Sequence, residues 1–382
     1  LSTVPDPMTL ALAAASQALT LTSPNPRVGC VLVSNQGLIL GVGHTQRAGG
    51  PHAEVMALRD AERRGNVVRG ATAYVTLEPC SHQGRTGPCC DALIQAGIHR
   101  VVASLADPNP LVAGQGFAKL RAAGITVDIG PEADAARELN LGFFSRMIRK
   151  TPWVRMKIAA SVDGTTALEN GASQWITSEA ARQDGHAWRA RACAVLTGIG
   201  TVLADNPKLD VRLVQTQRQP SIAIVDSDLQ TPPDAHILIA GRASYIYTRS
   251  QNDSKKRALE SAGATVICLP NAEGKVDLAA MMRDLATRGI NELHVEAGYR
   301  LNESLLRENL VDEFLIYLAP KLLGRGRGMA PFGPLTKLSQ AVPLDFRSTE
   351  RIGADLRILA RLQGRDQFPA ASTMGLETLH AG

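Results

Sequence analysis

The sequence predicts an α/β protein with two layered domains. Stretches that favour strands alternate with stretches that favour helices along most of the chain, which is typical of helices packed on a sheet. The length of 382 residues exceeds what one ordinary core accommodates, and the pattern restarts after Lys150-Thr151-Pro152. We therefore expect domains at 1–150 and 151–364, followed by a flexible tail at 365–382 that is rich in small and polar residues.

In the first domain, capping and turn residues mark the ends of the elements. Asp6-Pro7 is typical of a helix start, Asn35-Gln36-Gly37 forms the turn of a hairpin, and Gly65 ends a helix. The expected helices lie at about 7–19, 52–64, 88–96, 115–123 and 132–148, and the expected strands at 28–33, 38–42, 72–77, 101–104 and 125–129.

The second domain repeats this alternation without the fingerprint of a standard dinucleotide-binding fold, a Gly-x-Gly-x-x-Gly directly after a strand. A helix is expected at 179–191, with further helices between several of the strands. The expected strands lie at 153–160, 194–197, 222–225, 245–247, 265–268, 292–295, 314–318, 346–352 and 356–362, and the last two are expected to close the sheet.

Composition argues against several classes of protein. The net charge of +5 is mild and basic residues are spread along the chain, so we expect no nucleic-acid partner. No apolar run approaches the roughly 20 residues of a membrane helix, and Leu1–Met8 lacks a signal-peptide pattern, so no membrane partner is expected. Three of the six cysteines cluster near a His-x-Glu, which favours free thiols in a reducing, cytoplasmic compartment.

The most informative fragments are His52-Ala53-Glu54 and Glu78-Pro79-Cys80, followed by Cys89. One imidazole and two thiolates, from His52, Cys80 and Cys89, make a three-ligand zinc site with an open fourth position. Zinc lowers the pKa of a water bound there to near neutrality, and Glu54 would carry its proton to the ring and then to the departing amine. This set of residues predicts a hydrolytic base deaminase.

Helix geometry restricts how these side chains can meet. Positions two apart on a helix point to nearly opposite faces, so His52 and Glu54 can share a site only at the helix end. Cys89 follows Pro88 at another expected helix start, where the positive end of the helix favours a thiolate. Cys90 is a rival ligand, and the cysteines could also be small buried hydrophobes or hold a purely structural zinc with a fourth protein ligand.

The spacing of these fragments resembles one family. The usual nucleoside deaminase signature closes with Pro-Cys-x-x-Cys, whereas here eight residues separate Pro79-Cys80 from Cys89. With Pro24-Asn25-Pro26-Arg27-Val28-Gly29 upstream, this insertion resembles the deaminase half of the bifunctional riboflavin-biosynthesis deaminase/reductase family, which generally has proline in place of Gly87. The resemblance implies that Asn25 contacts the pyrimidine, although from the sequence alone Asn25 could equally form a turn between two prolines.

The second half contains five fragments that are each weak, because a short glycine run after a strand usually marks only a turn. They lie at 157–164, 173–178, 198–207, 209–212 and 295–298. Together and in this order they resemble the reductase half of the same family, which has a dihydrofolate-reductase-like α/β fold. The resemblance covers residues 5–362, and it implies a cytidine-deaminase-like α/β/α layered first domain, Zn2+ and NADPH.

The resemblance also implies roles for individual residues of the reductase half. Free N–H groups at a helix N-terminus favour anions, so the glycine-led segment from Gly298 would hold the pyrophosphate of the cofactor. The residues expected on the cofactor are Ala159, Trp175, Thr201, Asp205, Ser227, Gly298, Tyr299, Arg300, Leu301, Asn302, Glu303 and Ser304. The residues expected to face the substrate are Ser173, Arg189, Leu209, Arg212 and Glu296.

Side-chain chemistry bears on several of these roles independently. Arginine grips phosphate through two parallel hydrogen bonds, which favours Arg189 and Arg212; a solvated helix face and a strand edge are the alternatives. Lys157 is unusual on an otherwise apolar strand, and it could polarise the sugar oxygen of the substrate or pair with a carboxylate. Asp205 could belong only to a turn, and Arg249 could read the 2′-phosphate of the cofactor.

The predicted function is that of a bifunctional enzyme of riboflavin biosynthesis. The first domain would hydrolyse an amine from 2,5-diamino-6-(5-phosphoribosylamino)pyrimidin-4(3H)-one, and the second would reduce the ribosyl group to a ribityl chain with NADPH. The expected partner is this phosphorylated pyrimidine, and exposed sheet edges favour a homo-oligomer. One rival, a nucleic-acid base deaminase, is disfavoured because Tyr74 is the one Phe, Tyr or Trp between His52 and Cys90. The other, a non-catalytic zinc module, is disfavoured by Glu54, which metal binding does not require.

Overall fold

The computed structural model describes residues 6–82, 87–109, 112–330 and 332–368. The chain divides into two compact units, residues 1–150 with Phe368 and residues 151–367. Residues 83–86 of the long insertion and residues 369–382 of the expected tail lie outside the described residues.

The first unit alternates helices and strands as the sequence predicts. Its elements are α1 (Pro7–Ser16), β1 (Gly29–Val33), β2 (Ile39–His44), α2 (Ala53–Arg63), β3 (Thr72–Val75), α3 (Cys89–Gln95), β4 (Arg100–Ala103), α4 (Gln115–Ala122), β5 (Thr126–Ile129), α5 (Ala133–Leu139) and α6 (Leu141–Ile148). The sheet has the order β2-β1-β3-β4-β5, in which β1 is antiparallel to both neighbours and β3, β4 and β5 are parallel.

Small residues bring α2 unusually close to the sheet. Its inward face is alanine, with Ala53 and Ala57 fully buried. A Cβ on Gly41 would lie 2.3 Å from the Ala57 carbonyl oxygen, and a Cβ on Gly43 would lie 2.4 Å from the Ala53 carbonyl oxygen. Only glycine on β2 permits this approach, which fixes the position of the N-terminus of α2.

The single helix predicted at 132–148 is wrong, because the structure breaks it into α5 and α6 at Asn140. The Asn140 side chain forms a two-way hydrogen bond with the backbone of Arg27: Oδ1 accepts from the Arg27 N–H at 2.8 Å, and Nδ2 donates to the Arg27 carbonyl at 2.9 Å. Asn140 is buried, and its backbone, at φ −123°, lies outside the helical region. The two hydrogen bonds therefore stabilise a break in the helix.

The second unit begins at residue 151. Its elements are β6 (Trp153–Ser161), β7 (Thr165–Leu168), α7 (Glu179–Arg191), β8 (Ala194–Gly198), α8 (Ile199–Asp205), β9 (Ser221–Val225), β10 (Ser244–Thr248), α9 (Asp253–Ser261), β11 (Ala264–Cys268), α10 (Leu278–Thr287), β12 (Glu292–Val295), α11 (Tyr299–Arg307), β13 (Glu313–Ala319), β14 (Gly326–Gly328), a 3₁₀ turn (Leu338–Gln340), β15 (Leu344–Ile352) and β16 (Asp355–Leu362). Across the described parts of both units, every helix is too short or too polar to cross a lipid bilayer.

Nine strands form the main sheet of this unit, in the order β11-β10-β9-β8-β12-β6-β13-β16-β15. The first seven run parallel, whereas β16 and β15 are antiparallel and extend one edge of the sheet rather than closing it. A two-stranded ribbon of β7 and β14 was not expected from the sequence. Ligands of open α/β sheets bind beyond the carboxyl ends of the parallel strands, and β6, β8 and β12 lie at the centre of this parallel set.

The first residues of the expected flexible tail are packed against the protein. Arg365 donates from Nη2 to the Asn309 carbonyl oxygen at 2.5 Å. The ring of Phe368 lies 5.6 Å from the ring of Phe144 between centroids, and the Arg149 guanidinium lies 4.6 Å from the Phe368 centroid. Arg365 and Phe368 therefore make specific contacts with the protein.

Candidate active sites

His52 and Glu54 meet at the end of a helix, as helix geometry requires. His52 is the N-cap residue of α2, with φ −80° and ψ 172°, and its side chain makes no capping hydrogen bond. Glu54 is in the first helical turn. The extended backbone at position 52 lets the imidazole lie over the helix end while Glu54 projects from the first turn.

Three metal-ligand atoms converge at this helix end. Cys80 Sγ lies 3.6 Å from His52 Nδ1, and Cys89 Sγ lies 3.3 Å from the same nitrogen. Ligand atoms of these three residues all lie within 4.8 Å of one another. Two thiols and one imidazole at such spacing are the donor set that a catalytic zinc takes, with a fourth position left for water.

The negative charge of the cysteine pair favours Cys80 rather than Cys89. The Cys89 thiol and the His52 ring lower the pKa of Cys80 to about 4 by hydrogen bonding to its sulfur. The same shared proton, together with burial, raises the pKa of Cys89 far above its usual range. The Cys89 backbone N–H, at the start of α3, donates to Cys80 Sγ at 3.3 Å.

Glu54 is buried beside these ligands, with 3% of its surface exposed. Burial, and after it the negative charge of Cys80, raises the pKa of Glu54 to about 7. A carboxyl group with a pKa near neutrality can both accept and release a proton, as a general acid–base group must.

Cys90 and Asn25 are the other two residues singled out in this unit. Cys90 is fully buried, and its Sγ donates to the carbonyl oxygens of Pro79 at 3.2 Å and Gly116 at 3.5 Å. Cys90 thus holds backbone, whereas Cys89 contacts His52. Asn25 is half-buried between α1 and β1, and its backbone N–H donates to the Thr22 carbonyl at 2.8 Å, which matches the turn alternative.

Two helix N-termini face each other beyond the sheet of the second unit. Gly198 is the N-cap of α8 and Gly298 the N-cap of α11, and neither end has a side-chain cap. A Cβ on Gly298 would lie 3.5 Å from Thr201 Oγ1, and a Cβ on Gly198 would lie 3.5 Å from Leu301 Cδ2. Paired N-termini with free N–H groups fit the pyrophosphate of a dinucleotide, including the predicted segment from Gly298.

The other predicted cofactor residues are distributed over strands, helices and loops of the second unit. Ala159 is on β6, Asp205 ends α8 ahead of Asn206 at φ 41°, and Ser227 follows β9. Trp175 is 65% exposed, and the Arg182 guanidinium lies 4.6 Å from its ring centroid. The remaining residues, Tyr299, Arg300, Leu301, Asn302, Glu303 and Ser304, form the first turns of α11.

Among the predicted substrate residues, Arg189 and Glu296 form a tight pair. Arg189 donates from Nε to Glu296 Oε1 at 2.7 Å and from Nη2 to Oε2 at 3.0 Å, and Nη1 donates to the Asp210 carbonyl. Burial opposes the Glu296 charge, but Arg189 and then Lys157 outweigh it and hold the pKa of Glu296 well below its usual range. The guanidinium fork of Arg189 is therefore occupied and mostly buried, unlike the open phosphate grip or solvated helix face expected from the sequence.

Lys157 and His294 border this pair. Burial lowers the pKa of Lys157, although the charge of Glu296 opposes the shift. His294 is 1% exposed and lies on the same strand face two residues before Glu296, with Nε2 3.6 Å from Oε1. Burial also lowers the pKa of His294 to about 3, so its ring is neutral at ordinary pH. A lysine, an arginine and a carboxylate thus meet at the carboxyl end of β12.

A hydrogen bond to His186 on α7 fixes the loop that carries Leu209 and Arg212. Arg212 is in a loop rather than on a strand edge, its side chain is 56% exposed, and Nη1 donates to Asp210 Oδ1 at 2.5 Å. Its backbone N–H donates to Nδ1 of His186 at 3.2 Å. Burial lowers the pKa of His186 to about 4, so Nδ1 stays free to accept that bond. Leu209 is buried with φ 47°, and Ser173 is exposed.

Arg249 lies next to a predicted cofactor residue. Its backbone N–H donates to the Ser227 carbonyl at 3.3 Å, and its Nη2 lies 2.6 Å from Asp228 Oδ1. Both side chains of this ion pair are about half exposed. An incoming phosphate could therefore compete for the guanidinium.

Sequence reasoning assigned no role to three residues at these sites: Glu78 and His186, which accept backbone hydrogen bonds, and His294, which borders Glu296. His186 precedes Arg189 by one helical turn, and His294 precedes Glu296 by two strand positions, so periodicity could have found both. Glu78 stands two residues before a ligand, but its partners lie about thirty to forty positions further along the chain, and no local pattern reveals them.

Comparisons with known proteins match this division. Residues 3–105 match the cytidine and deoxycytidylate deaminase zinc-binding region, and residues 152–358 match the RibD C-terminal domain. The fold and the two sites define a zinc-dependent pyrimidine deaminase joined to an NADPH-dependent reductase. The α/β fold class predicted for both domains, and the cofactors Zn2+ and NADPH, are confirmed.

Full-length relatives identify the family. The chain is 45% identical over 362 residues to the riboflavin biosynthesis protein RibD of Escherichia coli, covering 91% of this chain and 96% of that protein. Crystal structures of RibD from Acinetobacter baumannii (TM-score 0.84, 38% identity, 94% and 98% covered) and of a deaminase/reductase from Thermotoga maritima (TM-score 0.82, 31% identity, 93% and 97% covered) share its fold. The chain belongs to the RibD family of bifunctional deaminase/reductases of riboflavin biosynthesis, which argues against the non-catalytic zinc module.

Proposed function

We propose that the first unit deaminates 2,5-diamino-6-(5-phosphoribosylamino)pyrimidin-4(3H)-one and that the second reduces the ribosyl group of the product to a ribityl chain. The observation that carries this proposal is the convergence of His52, Cys80 and Cys89 beside buried Glu54. The Thermotoga maritima relative is a diaminohydroxyphosphoribosylaminopyrimidine deaminase/5-amino-6-(5-phosphoribosylamino)uracil reductase, and its likeness to this chain supports the choice of substrate.

In the deaminase, each residue has a separate task. His52, Cys80 and Cys89 would hold zinc, which supplies a Lewis acid that makes water a nucleophile near neutral pH. Glu54 takes one proton from the attacking water and passes it to the ring nitrogen; it then takes the proton of the added hydroxyl group and passes it to the departing amine. Its burial excludes bulk water from the proton path, and its pKa of about 7 suits both directions of transfer.

In the reductase, the chain supplies binding groups and a proton donor while NADPH supplies the hydride. The N-termini of α8 and α11 would bind the pyrophosphate, with the segment Gly298–Ser304 closest. Lys157 is the side chain best suited to protonate or polarise the sugar oxygen, because burial lowers its pKa and thereby eases proton release. Arg189 holds Glu296 in one orientation, so that the carboxylate can bind sugar hydroxyl groups.

Arg212 remains the cation for the substrate phosphate. Its side chain is 56% exposed, and its guanidinium pairs with the carboxylate of Asp210, on the same loop. The main-chain bond from Arg212 to His186 and the bond from Arg189 to the Asp210 carbonyl keep this loop in place. A phosphate can therefore meet the guanidinium without a change in the backbone.

The second unit favours a homo-oligomer in which the β15 edge contacts a second copy of the chain. β15 is the last strand of the nine-stranded sheet, and Phe346 on it is 71% exposed. An exposed edge strand with apolar side chains is a pairing surface for another chain. Sedimentation of wild type against a Phe346→Lys variant tests this, with a smaller species expected only for the variant.

The decisive assay follows ammonia release and NADPH loss separately in the purified protein. With the phosphorylated diaminopyrimidinone, we expect a chelator to stop ammonia release and added zinc to restore it. With the already deaminated compound, NADPH loss should continue in the presence of the chelator. Ammonia release that survives removal of all metal would contradict the proposal for the first unit, and no NADPH loss with the deaminated compound would contradict that for the second.

A further inference from the structure

Glu78 is a buried carboxylate held by backbone N–H groups. Its exposed fraction is 6%. Oε2 accepts from the N–H groups of Asp107 at 3.0 Å and Gly114 at 2.9 Å, and Oε1 accepts from those of Gly116 at 2.8 Å and Phe117 at 3.3 Å. A carboxylate that accepts several charge-assisted bonds is fixed in both position and orientation.

Three of these donors belong to the start of α4, so Glu78 caps that helix from a distant segment. The N-cap residue of α4 is Gly114, which has no side chain to cap the helix itself. Gly116 and Phe117 are the second and third residues of the helix, where N–H groups lack intrahelical partners. The negative charge of Glu78 also suits the positive end of the helix.

The contact continues from Glu78 to the metal ligands. A Cβ on Gly116 would lie 2.1 Å from the Pro79 carbonyl oxygen, so α4 presses directly on the residue before Cys80. The same Pro79 oxygen accepts from Cys90 Sγ at 3.2 Å, and the Cys80 carbonyl accepts from the Cys90 N–H at 3.1 Å. Glu78, Gly116 and Cys90 thus surround the backbone that presents Cys80.

We propose that Glu78 is a positioning residue for the zinc site, which clamps the Pro79-Cys80 segment against α4 so that Cys80 is in place before metal binds. This inference rests on the proposed zinc ligands. Residues that orient metal ligands typically change metal affinity 10–100-fold when they are replaced. A clamp that pre-orders a ligand acts on zinc affinity in the folded protein, beyond any effect on folding.

The test is zinc binding to the apoprotein by competition with a chromophoric chelator. In Glu78→Gln an NH₂ group would replace one of the two carboxylate oxygens. Because NH₂ donates and does not accept, the two backbone N–H groups facing it would lose their hydrogen bonds. We expect zinc to bind roughly 10–100-fold more weakly than to wild type. Glu78→Asp keeps the charge but shortens the reach, so its affinity should lie between the two. The control is Glu62→Gln, a change to an exposed residue of α2, which should bind zinc as wild type does.

Affinity is measured at a temperature where circular dichroism shows each apoprotein to be folded. A residue that only stabilises the fold leaves zinc affinity unchanged there, and equal affinities of wild type, Glu78→Gln and Glu78→Asp would overturn the inference. If Glu78→Gln does not fold, Glu78→Asp alone decides, because weaker binding supports the clamp and equal binding contradicts it. Wild type that binds no zinc would instead refute the proposed metal site itself.

Discussion

The deaminase site and the reductase site of this chain handle buried charge in opposite ways. In the first unit, ligand atoms of His52, Cys80 and Cys89 all lie within 4.8 Å of one another, and the two cysteine side chains share a proton. In the second, Arg189 pairs with Glu296 through two hydrogen bonds of 2.7 and 3.0 Å. The first arrangement is a donor set that needs a cation for full stability, whereas the second is already neutralised by the chain itself. Removal of metal should therefore stop deamination and leave reduction unchanged.

The largest effect is expected from Glu54, because replacing it should slow deamination and leave reduction unchanged. Glu54→Gln keeps the size of the side chain but removes the acid–base group, so we expect ammonia release to fall by roughly 10²- to 10⁴-fold. Reduction of the deaminated compound should not change, and zinc content should stay at the wild-type level because Glu54 is not a ligand. Turnover at the wild-type rate would remove Glu54 from the mechanism.

A smaller effect is expected from the buried pair of the second site. Arg189→Ala removes the guanidinium that hydrogen-bonds to both oxygens of the Glu296 carboxylate, and breaking a buried ion pair costs about 3–5 kcal/mol. We expect kcat/KM for reduction to fall by roughly 10²-fold or more, with deamination unchanged. Arg189→Lys should fall in between, since lysine supplies charge without the bidentate geometry. Equal reduction rates in all three proteins would show that the orientation of Glu296 does not matter.

The smallest effect concerns recognition of the cofactor. If Arg249 reads the 2′-phosphate, Arg249→Ala should raise the KM for NADPH about tenfold, the scale of one exposed charge-assisted contact, and leave the KM for NADH, which lacks that phosphate, unchanged. Arg257→Ala, which removes an exposed arginine from α9, is the matched control. An unchanged KM for NADPH would dispose of this role and leave Arg249 as the surface partner of Asp228.

Local signals in the sequence predicted much of the fold and of the metal site. The Asp6-Pro7 helix start is observed as an N-cap whose side chain accepts from the backbone at Met8 and Thr9. The helix at 179–191 has the predicted bounds. Metal ligands are recognisable because residue type and spacing carry the chemistry, and His52 could be placed at a helix end from helix geometry alone.

What the sequence did not reveal depends on partners far apart along the chain. The break at Asn140 comes from hydrogen bonds to Arg27, 113 residues away. The hydrogen bond from Arg189 to Glu296 spans 107 residues. The Glu78 clamp reaches 38 residues to Gly116. Periodicity and turn residues report local preferences, so they cannot indicate which distant backbone a polar side chain satisfies.

The most direct test of the central claim is the zinc content of two neighbouring cysteine variants. Cys89 contacts His52, whereas Cys90 holds the backbone of Pro79 and Gly116. Metal analysis of purified protein should therefore find one zinc per chain in wild type and in Cys90→Ser, and far less than one in Cys89→Ser. Zinc retained in Cys89→Ser and lost from Cys90→Ser would contradict the ligand set on which the deaminase mechanism depends.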